Sequence, residues 1–261
     1  MMKKNDEFYI GYVDEVGLRT KKVLKQFVLF GVLVLLIVAS LFAFFQRPAV
    51  NSSFDFGNPT TVTGVYHESP YPMLRVHLAQ DEFKEIVLLG FGKSGAHPFL
   101  EEVGKDVKDL SGKELTIEGQ LIYYNGKTLL EIDDSQKIAI SGEGKVGNSW
   151  VLGSKTIEGE IIDPKCYFGV MKPGYGKIHR SCAALCIAGG IPPVLVSKGE
   201  NNRETYFLLT DLKGNPIHKD IIPYIGQPLR LNGDVEVVGD WKLMKVDIAK
   251  IEKLNKKSTI Y

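Results

Sequence analysis

GKELTIEGQLIYYNGKTLLEID, residues 112–133, reads as two strands joined by a tight turn. Apolar and polar residues alternate through it, and Asn125-Gly126 is a strong hairpin signal. The pattern returns 114 positions later as GQPLRLNGDVEVVGDWKLMKVD, residues 226–247. Without gaps, Gly112 falls on Gly226, Leu115 on Leu229, Ile117 on Leu231 and Gly119 on Gly233. Leu121 then meets Val235, Leu129 meets Leu243, Ile132 meets Val246 and Asp133 meets Asp247. A lone hairpin is marginal in water. Two matched hairpins therefore predict two copies of a larger β unit.

Upstream, TVTGVY from Thr61 matches TIEGEI from Thr156, at an offset of 95. The second copy is thus 19 residues longer between its first strand and its last pair. Copy one is expected to run strand Thr61–Tyr66, strand Met73–Leu78, strand Ile86–Phe91, helix near Pro98–Asp109, then the hairpin. Copy two is expected as Thr156–Asp163, Val194–Ser197, Thr205–Thr210, a helical turn near Lys219–Ile225, then its hairpin. A helix between the third and fourth of five strands resembles the OB-fold, a small barrel whose loops bind ligands. The fold class expected is mainly β: one N-terminal transmembrane helix followed by two small OB-fold-like β-barrels. The barrels are placed at 60–141 and 154–252, with an insertion at 164–193.

Phe27–Phe45, FVLFGVLVLLIVASLFAFF, carries no charge over 19 residues. That roughly matches a hydrocarbon core of about 30 Å. Gln46, Arg47 and Pro48 follow, with no small-residue cleavage pattern, so an uncleaved anchor is expected. Lys3, Lys4, Arg19, Lys21, Lys22 and Lys25 precede the span, and only Arg47 follows closely. The positive-inside tendency puts tail 1–26 in the cytoplasm. Linker 46–59 and the barrels then lie on the periplasmic or extracellular side of an inner membrane. The chain has 32 basic and 31 acidic residues, and 26 against 27 after the span. Such balance supplies no field for phosphates, so no nucleic-acid partner is expected.

All three cysteines and one of five histidines fall between Pro164 and Pro193. His179, Cys182 and Cys186 stand at i, i+3 and i+7, on one face of a helix spanning Lys177–Ile187. Gly189-Gly190 and Pro192-Pro193 end that helix. With Cys166 from the preceding loop, three sulfurs and one imidazole suit zinc, copper or an iron–sulfur centre. Met171 is a candidate thioether ligand for copper. The competing reading is a disulfide, Cys166 with Cys182 or Cys186, clamping the loop and leaving one thiol. A third is thiol chemistry, with a lone cysteine as nucleophile. No C-x-x-C supports thioredoxin-type exchange, and no C-x-x-C-H supports haem attachment.

Other candidates carry less. GFGKSG from Gly90 lacks the first glycine of a phosphate loop and reads as a turn. His67 and His77 read as exposed barrel residues, and His97 as a helix cap; a second histidine site from these three is the sharper alternative. Glu131, Asp133 and Asp134 read as solvent-facing strand ends, and Trp241 as packing across its own barrel. Lys177 and Arg180 stand beside the cysteines, where they would favour thiolates or bind an anion.

The tail Phe8-Tyr9-Ile10-Gly11-Tyr12, SPYPMLRV, GKSGA and HRSCAALCIAGGIPP together resemble bacterial single-span membrane-anchored proteins with tandem OB-fold-like extracytoplasmic domains and a Cys/His loop. The resemblance covers most of the chain and implies no activity and no catalytic residue. The role expected is accessory: holding a soft metal, or docking on a membrane redox complex. The alternative is a non-catalytic interaction module with a disulfide-clamped loop.

Overall fold

The computed structural model describes residues 17–45, 52–79, 82–106, 109–145, 147, 149–199 and 201–255. The aromatic motif at 8–12, most of the expected tail and the first part of the expected linker lie outside the described residues. The chain forms two compact units, 1–50 and 51–261.

The first unit contains helix α1, Leu18–Phe45. It starts nine residues before the uncharged run because nothing between Leu18 and Phe27 breaks a helix. Its 28 residues rise about 42 Å at about 1.5 Å each. It is long and apolar enough to cross a membrane, a property shared by anchors and signal sequences.

The second unit begins with β1 (Ser52–Phe54), β2 (Thr60–His67), β3 (Met73–Ala79) and β4 (Glu82–Gly90). Helix α2 (His97–Val103), β5 (Lys113–Tyr124), β6 (Lys127–Ile132) and β7 (Ile138–Glu143) follow. Next come β8 (Ser149–Ile162), helix α3 (Gly176–Ala188), β9 (Val194–Lys198) and β10 (Glu204–Thr210). The unit ends with β11 (Pro228–Val238), β12 (Trp241–Val246) and β13 (Glu252–Lys253). Two five-stranded barrels result. The first closes as β2-β3-β4-β6-β5 and back to β2; the second as β8-β9-β10-β12-β11 and back to β8. Only the third and fifth strands of each barrel pair in parallel, Val87 with Leu129 and Leu208 with Leu243.

The registers repeat residue for residue. Gly64 pairs with Leu115 in barrel one, and Gly159 with Leu229 in barrel two. These positions differ by 95 and 114, the two offsets read from the sequence. The repeated glycines are where strands meet edge to face. A Cβ on Gly64 or Gly159 would come within 3.0 Å of the carbonyl of Arg75 or Val196. Gly119 and Gly233 approach Glu131 and Lys245 in the same way. The second and third strands carry a further offset, 121, as Val87 and Leu208 show. The 19-residue difference is therefore a gain in one loop partly cancelled by a loss in another. The first loop grows from five residues, 68–72, to thirty-one, 163–193. The later connection shortens, and α2 is replaced by a single turn, Ile222–Tyr224.

The barrels share one buried cluster. Tyr71, Met73, Val87 and Ile122 of barrel one pack with Phe168, Cys186, Val196, Leu208 and Trp241 of barrel two. The contact is reciprocal, as between partners of a two-fold pair. The β11–β12 turn meets Glu85, where Trp241 Nε1 donates to the Glu85 carbonyl at 3.0 Å and Glu85 N donates to Asp240 Oδ1 at 3.0 Å. The β5–β6 turn meets Tyr206, the equivalent of Glu85, with Asn125 Nδ2 donating to Tyr206 Oη at 3.1 Å. Tyr71, from the first loop of barrel one, donates its hydroxyl to Leu209 O and accepts from Ile217 N at 3.2 Å. Lys165, from the first loop of barrel two, donates to Gly90 O at 2.9 Å and Gly92 O at 2.8 Å. Trp241 thus packs into the neighbouring barrel as well as its own.

Two expectations about polar residues are corrected here. His67 is buried, with Nε2 2.9 Å from Glu85 Oε2, because the outer face of the first barrel is covered by the second. Glu85 also holds Arg75 at 2.9 Å. His77 lies edge-on to Phe83, and His97 stands 3.9 Å from Glu68, so the three histidines occupy separate places.

Asp240 gives the interface a pH dependence. Burial pushes its carboxyl up, but Lys127, Lys84 and the Glu85 amide outweigh this and hold it below the usual value of 3.8. Burial pushes Lys127 down despite Asp240, so part of the gain is returned. A depressed carboxyl stabilises the fold above its unfolded pKa and loses that contribution as pH falls through the folded value. Asp240→Asn is expected to lower stability at neutral pH by about 1–2 kcal/mol. The difference from wild type should begin to shrink in denaturation curves taken below pH ~4 and vanish once the pH is under the depressed folded value. Trp241→Ala removes a fully buried side chain and should cost about 3–5 kcal/mol in the same measurement.

Candidate metal centre

The long first loop of barrel two is wedged between the barrels. β8 ends at Ile162, and Asp163 turns the chain: its Oδ1 accepts from Lys165 N at 2.9 Å. A single wide helical turn, Cys166–Val170, follows, closed by Met171 N donating to Cys166 O at 3.2 Å. Tyr167 and Phe168 from this turn enter the shared cluster. Helix α3 then runs Gly176–Ala188, close to the expected Lys177–Ile187, and turns His179, Ala183, Cys186 and Ile187 inward. Gly189 and Gly190 end it as expected, and they also let it touch barrel one. Gly95 N donates to Gly189 O at 2.9 Å, and a Cβ on Gly189 would strike the Lys93 carbonyl. GFGKSG is thus a docking turn for α3.

Helix and turn bring the sulfurs and imidazole together in two overlapping groups. Ligand atoms of Cys166, His179 and Cys182 lie within 4.8 Å of one another, as do those of Asp163, Cys166 and Cys186. Among the described residues no single group holds all four Cys/His residues; Cys166 is the member common to both. Tetrahedral zinc places its ligand atoms about 3.8 Å apart, from bonds of about 2.3 Å, so small side-chain movements close either group on an ion. Asp163, Cys166, His179 and Cys186 are buried, and Cys182 is partly exposed. All three cysteines are free thiols here, so neither expected bridge, Cys166 with Cys182 or with Cys186, is formed. Met171 is 46 % exposed, at the surface rather than among the buried donors.

Two buried polar atoms of these groups stand without partners. His179 Nε2 and Asp163 Oδ2 are buried without a hydrogen-bond partner. Such atoms are rare because an unmade hydrogen bond costs about 1–3 kcal/mol. The hydrogen bond that Cys166 donates to Cys186, burial and the Asp163 charge all push the Cys166 thiol up. Burial pushes Cys182 up, with Lys93 opposing. Burial pushes His179 down, assisted by Lys93 and opposed by Asp163, leaving the neutral imidazole that ligates. A bound cation would displace the thiol protons. The basic neighbour is Lys93 of barrel one, whereas Arg180 donates to Pro223 O at 3.1 Å.

Asp163, Lys165 and Glu131 were not read as parts of this site. Lys165 is 3 % exposed and pairs with Glu131, also 3 % exposed. This corrects the expectation of a solvent-facing Glu131. The signal in the sequence was the run Asp163-Pro164-Lys165-Cys166, whose acid sits three positions before the first sulfur. A groove of about 650 Å³, lined by Thr63, Arg75, His77, Phe83 and Glu114, shares no residue with the cluster. No known protein family matches the chain. No curated protein matches it either.

Lys165→Ala leaves Glu131 buried without its partner and is expected to destabilise the chain by about 3–5 kcal/mol. Lys165→Met combined with Glu131→Leu removes both charges and should recover most of that loss. Thermal unfolding of the full chain in detergent reads both; equal destabilisation by single and double variants would refute the pairing.

Proposed function

We propose that the chain is a membrane-anchored, extracytoplasmic accessory protein that binds a soft metal through Cys166, His179, Cys182 and Cys186. The observation that carries this is the unpartnered His179 Nε2 gathered with two free thiols in a buried pocket. Sulfur and imidazole ligands select zinc, copper(I) or iron–sulfur chemistry over calcium or magnesium. As ligands, three thiolates carry three negative charges, which likewise favours a soft cation over calcium or magnesium. The anchor is α1, kept uncleaved. Its basic N-terminal turns, with Arg19, Lys21, Lys22 and Lys25, face the cytoplasm and the barrels lie outside. There the metal is held for, or passed to, a membrane redox complex on which the barrels dock.

A second reading has one specific support: Cys166 and Cys186 are free thiols whose sulfurs lie within 4.8 Å of each other. Oxidation outside the cytoplasm would join them, leaving a non-catalytic interaction module with a clamped wedge. Elemental analysis of the full chain, purified without an affinity tag, is expected to find zinc, copper or iron bound. Thiol counting after metal removal should give three reactive groups, with Cys182 labelled fastest because it is the most exposed. Metal-free protein with one reactive thiol would select the clamped module instead.

A further inference from the structure

We infer that the wedge holds two metal ions rather than one, joined through the thiolate of Cys166. The outer ion takes Cys166, His179 and Cys182, and the inner ion takes Cys166, Cys186 and Asp163. This rests on the metal-binding reading above and adds to it a ligand, a stoichiometry and a bridge.

Three observations converge. The two ligand groups overlap only at Cys166, and neither contains the other's remaining members. Each group has its own buried, unpartnered atom: His179 Nε2 in the outer, Asp163 Oδ2 in the inner. One ion seated in either group satisfies one of these atoms and leaves the other bare. The charge points the same way. With both groups closed on ions, Cys166, Cys182, Cys186 and Asp163 carry four negative charges, three of them on buried residues. A thiol that binds no ion keeps its proton, so one divalent ion in either group leaves one net negative charge, whereas two divalent ions bring the sum to zero.

Zinc-class divalent ions fit this donor set, because they accept thiolate, imidazole and carboxylate together. Loading is a ligand exchange with no electron transfer. Three thiols release three protons to solvent, and each ion gives up bound water. Each ion then has three protein ligands and one open position. Closed four-ligand sites are structural; three ligands with an open position mark ions that exchange or activate a ligand. The open side of the outer ion lies at Cys182, the one cysteine that is partly exposed. The outer ion is therefore the exchangeable one and the inner ion the resident.

The full chain in detergent, reduced and stripped with a chelator, is titrated with Zn(II), then desalted and assayed for zinc. Two equivalents per chain are expected. Cys186→Ala and Asp163→Asn should each retain one, and Cys166→Ala should lose both. One equivalent in the wild type, or two in Cys166→Ala, overturns the bridge and leaves the single-ion reading standing. Zero in the wild type removes that reading as well. Cadmium-113 NMR of the wild type needs no variant to fold: two resonances with mutual scalar coupling are expected. Two uncoupled resonances, or one alone, overturn the shared thiolate.

Discussion

A single buried ammonium ties the molecule together. Lys165 reaches out of the long loop of barrel two to Glu131 and to the carbonyls of Gly90 and Gly92 in barrel one. Removing an ammonium from water costs several kcal/mol, and only close, well-aligned acceptors return it. Those acceptors exist because β4 and β6 lie side by side in parallel, with the turn after β4 curling over the same spot. Cys166 is the next residue. Wherever the ammonium is seated, the first sulfur follows, so the position of the cluster depends on the fit between a loop of one barrel and the strand ends of the other.

The rest of the wedge is arranged around that seat. Phe168 stacks between Tyr124 at 5.6 Å and Trp241 at 6.2 Å, and so closes the space between the barrels with aromatic surface. Tyr167 donates its hydroxyl to Glu204 at 2.9 Å, which gives its polar tip a partner. Lys172 sits 4.7 Å from the Tyr124 ring centroid and covers the rim. On the other side, Gly95 and Gly190 touch through bare backbone, so α3 cannot slide along barrel one without meeting the Lys93–Gly95 turn. A ligand set assembled from a strand end, a wide turn and a helix needs such immobilised surroundings to hold its geometry.

Much of this was legible in the chain because barrel strands impose a period of two and because two copies check one another. The Leu115, Ile117 and Gly119 alignment carried the register correctly, and the His179, Cys182 and Cys186 spacing carried the helix. What was lost was lost for a physical reason. Alternation tells which side of a strand faces the barrel interior, and the other side was read as water. Glu131 and His67 are on that other side, yet a neighbouring barrel or loop covers them. Asp163 was read as the end of a strand, since nothing local distinguishes a terminating acid from one turned toward a buried sulfur cluster. The 19-residue excess was correct as a sum but concealed a longer first loop and a shorter later one, which only strand pairing separates.

The reciprocal contact between the barrels also governs what each half can carry. When residue i of one half meets residue j of the other, and j of the first meets i of the second, the face is self-complementary. Such a face has the form of an isologous contact, made here within one polypeptide. Joining lifts the requirement that both subunits be the same. The first loop of one half is a five-residue plug ending in Tyr71 and Pro72, while that of the other spans thirty-one residues and carries the three cysteines. The two halves therefore differ at their shared centre, which two identical subunits could not do.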